Sequence, residues 1–163
     1  MRLGPLQSQD RHWIKVALTI AEASKCVRAA YGTVILSADG RVVGTARNGK
    51  PRGSLNDHVC YREGLPPNAP KANCCLHSEQ NAIMFSDPLE RLGGTMYVSG
   101  VPCNDCALLI MQSGVHRLVY LDGPAASGHV GSSTDALWKQ YGVPIERCAF
   151  TFERWEREFP EAK

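Results

Sequence analysis

The sequence has 163 residues, 44% hydrophobic and 21% charged, which predicts one domain, 1–163, with a real hydrophobic core. A net charge of +2 is too weak for a broad nucleic-acid or membrane surface. No apolar run approaches the roughly 20 residues of a membrane helix, and MRLGPLQSQDRHW lacks the apolar core of a signal peptide, so a cytoplasmic protein is expected.

In chain order, Asp10 is placed to cap a helix that runs to about Lys25. Its apolar stripe is Ile14, Ala17, Leu18 and Ala21, at i, i+3, i+4 and i+7. TVILS (33–37) and VVGTARN (42–48) flank an Asp39-Gly40 turn and read as a hairpin. Residues 49–75 hold Gly, Pro, Asn and Asp without periodicity, a loop long enough to suggest a functional one. His77 opens a helix that reaches about Ser86, ended by Asp87-Pro88. TMYVS (95–99) is a strand. Pro102 suits a first helical position, so a helix is expected over 103–113, closed by Gly114. RLVYLD (117–122) is the next strand, and 123–133 a loop. A helix over Thr134–Tyr141, a strand over 144–150 and a helix over 152–159 follow. The order α-β-β-α-β-α-β-α-β-α predicts an α/β fold: a five-stranded mixed sheet in a three-layer α/β/α sandwich, its parallel neighbours joined by right-handed crossovers.

Seven cysteines, at 26, 60, 74, 75, 103, 106 and 148, are many for a reducing compartment. Metal ligation is the leading explanation. Cys103 and Cys106 lie i, i+3 on the first turn of a helix, where the helix dipole favours thiolates. His77 starts another helix, and two helices after neighbouring strands can bring their N-termini together. Three protein ligands with one open position is the pattern of a catalytic zinc. Glu79, two residues from His77, is then placed to carry protons between water and a leaving group. The plain reading is a surface histidine and an exposed helix-start acid. A lone H-x-E or C-x-x-C says little, but H-x-E followed by P-C-x-x-C, with a strand between, is the signature of zinc deaminases.

The chain resembles the deoxycytidylate deaminase branch of that superfamily in SKCVRAAYGTVIL, GTARNGKPRG, HSEQNAI and SGVPCNDCALLIMQSGVHRLVY, over about residues 10–145. The resemblance implies a cytidine-deaminase-like fold and a Zn2+-dependent conversion of dCMP to dUMP, the precursor of thymidylate. His77, Cys103 and Cys106 would be the metal ligands and Glu79 the catalytic acid–base. It also implies a homo-oligomer, often a hexamer, with dCTP and dTTP as effectors, and a contact from Asn48 to the nucleotide sugar. Some members carry a second, structural zinc, here matching Cys26, His58, Cys60 and Cys75, with Cys74 an alternative to Cys75. Departures are Ser78 where alanine is usual, Val101 where serine is common, and Ala46-Arg47 for Gly-Tyr before Asn48. None touches a ligand or the acid, but the last bears on substrate choice.

A nucleotide needs a phosphate site. Lys25, Arg28, Lys50 and Arg52 lie on the loops nearest the expected pocket, and Arg28 is preferred because a guanidinium binds two phosphate oxygens at once. Tyr120, at a strand end, is a candidate for the sugar side. Cys148 reads as packing, and Asn81 as either a surface or a loop-fixing amide. The rival functions are deamination of another cytosine substrate (5-methyl- or 5-hydroxymethyl-dCMP, a nucleoside, an RNA base) or a non-catalytic zinc module on the same fold. Glu79 discriminates, since a structural zinc has no use for it.

Overall fold

Short β-branched runs separated by helix-forming runs produce ten elements in the predicted order. The computed structural model describes residues 4–26, 29–54, 63–66, 75–122 and 134–161. The elements are α1 (Asp10–Glu22), β1 (Gly32–Leu36), β2 (Val42–Arg47), α2 (Ser78–Phe85), β3 (Thr95–Val98), α3 (Asn104–Gln112), β4 (Arg117–Leu121), α4 (Thr134–Tyr141), β5 (Glu146–Phe150) and α5 (Phe152–Glu158). The loop expected over 123–133 and much of that over 49–75 lie outside the described residues.

One mixed sheet runs in the order β2-β1-β3-β4-β5. β1 pairs antiparallel with both β2 and β3, whereas β3, β4 and β5 are parallel. Side chains alternate across it. On one face Val34, Leu36, Tyr97, Val119, Cys148 and Phe150 meet α1 and α5 through Ile14, Ala17 and Trp155. On the other, Ile35, Met96, Val98 and Leu118 meet α2, α3 and α4 through Ala82, Ala107, Ile110 and Trp138. Cys148 is a packing residue, as expected. β1 is buried along its whole length because both layers cover it.

Three expectations are corrected. Gln9, not Asp10, occupies the N-cap of α1; Asp10 is fully buried and ion-paired to Arg117 at 2.7 Å. Pro102 precedes the N-cap of α3, which is Cys103, because the extended cap shifts the helix start by one residue. The strands that lead into α2 and α3 are not neighbours: β2 and β3 flank β1. The helices still meet, since β1 starts at the edge where β2 and β3 end.

Candidate active site and metal centre

Both helices at that edge begin on a candidate ligand. His77 is the N-cap of α2 (φ −72°, ψ 159°) and Cys103 the N-cap of α3 (φ −73°, ψ 172°). Extended backbone leaves a capping residue half outside its helix, able to project its side chain beyond the end. The His77 N–H donates to Gln80 Oε1 at 2.7 Å, half of a capping box, which fixes the entry into α2. Just upstream, Gly49 and Leu76 exchange N–H···O=C bonds of 3.0 and 2.8 Å, which tie the end of β2 to the residue before His77.

His77 Nδ1 lies 3.5 Å from Cys103 Sγ and 3.3 Å from Cys106 Sγ. All three donor atoms fall within 4.8 Å of one another. Zinc–nitrogen and zinc–sulfur bonds of about 2.0 and 2.3 Å at the tetrahedral angle put N and S about 3.5 Å apart, so this donor set fits a zinc ion. Three donors leave a fourth position open. Among the described residues this is the one group of three or more such side chains that converges.

The three donors perturb one another's proton affinities. Hydrogen bonds from Cys106 and His77 hold the Cys103 thiol down at about 3, against the effect of its burial. The Cys106 thiol is pushed up by its hydrogen bond to Cys103 and by burial. His77 is raised by its hydrogen bond to Cys103, against its own burial. The three groups shift one another because they are packed together at the positive end of α3, and a metal bound there would take His77 Nδ1 and both thiols in their deprotonated forms.

Glu79 is 5% exposed, and burial pushes its carboxyl above the usual range while its backbone hydrogen bond and His77 pull the other way. The Ser78 hydroxyl donates to Glu79 Oε2 at 3.1 Å, and the Thr33 hydroxyl donates to Ser78 Oγ at 2.8 Å. Tyr31 is close too: its phenol is pushed up first by burial and then by Glu79 and Cys26. Its ring lies on Gly100, where a Cβ would come within 2.4 Å of Tyr31 Cε1. Only glycine permits that approach.

Asn48 is buried at the same edge. Its Oδ1 accepts the Tyr31 N–H and its Nδ2 donates to the Ala29 carbonyl, both at 2.9 Å. Asn81 is loop-fixing, donating to the Arg47 carbonyl at 3.0 Å. Tyr120 packs partly buried on the α2/α3 face, opposite Val98. Arg52 is engaged by Phe85, its Cζ lying 4.7 Å over that ring. Arg28, His58, Cys60 and Cys74 lie outside the described residues, so two members of the second zinc set are described: Cys26 and Cys75, both half-buried.

Ser78 enters sequence reasoning only as a departure that touches neither a ligand nor the acid, and its 3.1 Å hydrogen bond to Glu79 corrects that expectation; Thr33 and Tyr31 are not singled out there as site residues. Alternation along β1 was the available signal, since Thr33 shares its face with Ile35 and so points at α2.

The zinc-binding region of cytidine and deoxycytidylate deaminases matches residues 7–122, a span that includes His77, Glu79, Cys103 and Cys106. The chain belongs to the cytidine and deoxycytidylate deaminase family. The deoxycytidylate deaminase of Mycobacterium phage D29 is 34% identical over 119 residues, 68% of this chain and 92% of that one. The human deoxycytidylate deaminase is 28% identical over 137 residues, 83% of this chain and 77% of that one. The crystal structure of the dCMP deaminase from cyanophage S-TIM5 in complex with dCMP and dUMP superposes with a TM-score of 0.68 at 21% identity, covering 90% of this chain and 100% of that one. The deaminase fold is thus shared even where little sequence is.

Proposed function

We propose that this chain is a zinc-dependent deaminase that converts dCMP and water to dUMP and ammonia, as one domain spanning 1–163. The observation that carries the reading is a buried Glu79 beside the His77/Cys103/Cys106 cluster, in a family whose relatives carry the deoxycytidylate deaminase name. A zinc ion held by those three side chains supplies the Lewis acidity that makes water a nucleophile near neutral pH. Glu79 takes a proton from the attacking water and delivers it to the ring nitrogen as oxygen adds to the adjacent carbon. It then serves the departing amine as the carbon–nitrogen bond breaks. A carboxyl raised by burial suits this work, because proton exchange is fastest with a group poised near the working pH. Tyr31 and Tyr120 lie on the same side of the sheet end, Asn48 holds the Tyr31 loop, and Arg28 is assigned to the phosphate by its chemistry alone.

Self-association is part of the proposal. Met84, Phe85, Leu89, Leu92, Leu108 and Leu109 are exposed on and beside α2 and α3, and large exposed apolar patches commonly mark protein–protein contacts. Light scattering that gives a monomer at all concentrations would refute it. The hexamer and the dCTP and dTTP effectors rest on the resemblance, and the cytoplasmic setting on the sequence reading alone.

The deciding experiment measures zinc per chain and ammonia release from dCMP, 5-methyl-dCMP, deoxycytidine and a cytosine-containing RNA, for wild type and Glu79→Ala. The expected outcome is about one zinc per chain, or two if the Cys26 set binds. Ammonia should come from dCMP, and Glu79→Ala should keep zinc while losing activity by about 10³-fold or more. Zinc without activity on any substrate would instead indicate a binding module.

A further inference from the structure

Two hydroxyls are sealed beside the reacting acid, and proton transfer by Glu79 alone does not account for them. Thr33 and Ser78 are both fully buried, and the layer around Thr33 is otherwise apolar, with Ile35, Met96, Val98 and Ala82. A buried hydroxyl costs free energy unless its hydrogen bonds are made. Here they form one line: Thr33 Oγ1 donates to Ser78 Oγ at 2.8 Å, and Ser78 Oγ donates to Glu79 Oε2 at 3.1 Å. The acid sets the direction. An ionised carboxylate only accepts, and a serine has a single proton, so a Ser78 that donates to Glu79 must accept from Thr33. Thr33 is anchored in the centre of the sheet, paired to Ala46 on one side and Val98 on the other.

We infer that Thr33 and Ser78 form a positioning device for Glu79, holding Oε2 as a fixed acceptor so that Oε1 is the oxygen that takes the proton from water and delivers it to the ring. The inference rests on the deaminase reading above. Neither hydroxyl gives up its own proton: the proton that leaves water resides on Oε1 and passes to the substrate nitrogen, and Oε2 stays bonded to Ser78 throughout. Both residues act through Glu79 and touch no reacting atom. A carboxylate anchored at one oxygen presents the other at a constant position, which acid–base catalysis requires, since it works only within hydrogen-bond reach. Serine at position 78 then has a physical meaning, because only a side chain with a donor there can join β1 to the acid.

The test uses the zinc-loaded full chain and the variants Ser78→Ala, Thr33→Val, Thr33→Ser and the double variant Ser78→Ala/Thr33→Val. Steady-state rates on dCMP are read together with zinc per chain, melting temperature and the Kd for dUMP. In Ser78→Ala, kcat is expected to fall about tenfold, with KM, zinc content and the dUMP Kd within about twofold of wild type. Thr33→Val should lose about threefold, and Thr33→Ser, which keeps the hydroxyl, should recover most of that loss. Removing Thr33's hydroxyl after Ser78's should change kcat no further, because the line is already cut. A Ser78→Ala kcat within twofold of wild type overturns the inference, as does a loss that tracks zinc content or independent effects in the double variant. If Ser78→Ala does not fold, Thr33→Val against Thr33→Ser decides alone. A wild type inactive on every cytosine substrate sinks the deaminase reading and this inference with it. An active wild type with a near-normal Ser78→Ala sinks the inference only.

Discussion

Asn48 uses both ends of its amide on the backbone of the loop that leads into β1, and its own N–H donates to the Tyr31 carbonyl at 3.1 Å. It therefore sets where Tyr31 lies, and Tyr31 lies on Gly100, three residues before Cys103. A sugar contact, the role implied by the resemblance, is compatible with this, because an amide nitrogen has a second proton and its oxygen a second lone pair. The two roles predict different things for Asn48→Ala. The structural role removes the amide bonds to the Tyr31 N–H and the Ala29 carbonyl and lowers stability by about 1–3 kcal/mol. Hydrogen exchange at the Tyr31 amide should then speed up without any nucleotide present. A variant with native stability and native Tyr31 exchange, but a raised KM for dCMP, would assign Asn48 to the substrate alone.

At the scale of elements, α1 and β1 approach so closely that one hydrogen atom is all the side chain Gly32 can have. A Cβ there would lie 2.0 Å from the Ala17 carbonyl oxygen and 2.8 Å from the Ala21 nitrogen. Both are helix backbone and cannot yield as a side chain would. Gly32→Ala should push α1 off the sheet and cost about 3 kcal/mol or more, read as a lower urea midpoint at unchanged slope. Gly49→Ala is the control, as its Cβ would meet only the end of Arg47, at 3.6 Å. Such contacts are where sequence reading stops. The ten elements were legible because turns and breakers punctuate them: Asp39-Gly40, Asp87-Pro88, and Gly114, whose φ of 86° suits only a glycine well. The convergence of His77, Cys103 and Cys106 was legible because zinc chemistry restricts residue type and spacing. The placement of β1 between β2 and β3 was not, since strand order depends on pairing between distant segments. Thr33 to Ser78 and Tyr31 to Gly100 were hidden for the same reason, as was Asp10, which reads as a cap until its partner 107 residues away is known.

Across the whole molecule the sheet separates stability from chemistry. Asp10, Tyr97 and Arg117 lie on the α1/α5 face, whereas His77, Glu79, Cys103 and Cys106 lie with α2 and α3 on the other. Arg117 grips Asp10 with two nitrogens, at 2.7 and 2.8 Å, donates to Glu146 at 2.9 Å, and donates to the Pro5 carbonyl at 2.9 Å. Asp10 also accepts from Tyr97 at 3.1 Å and from the Gln7 N–H at 2.8 Å. This cluster fastens the N-terminal segment and α1 to β3, β4 and β5 at once. Removing one partner of a buried pair strands the other charge, so Arg117→Met should lose about 3–5 kcal/mol. In a chain of this length that lowers Tm by roughly 6–20 °C. Asp10→Asn in the same chain removes the stranded charge while keeping partners for Tyr97 and Gln7, and should recover part of the loss. Throughout, zinc per chain and kcat on dCMP at a temperature where the variant is folded should match wild type, because no side chain of the cluster reaches the α2/α3 face. Denaturant unfolding paired with steady-state kinetics checks this. A variant that keeps its stability but loses kcat would show that the buried ion pair acts across the sheet on the site, and that the two layers are not independent.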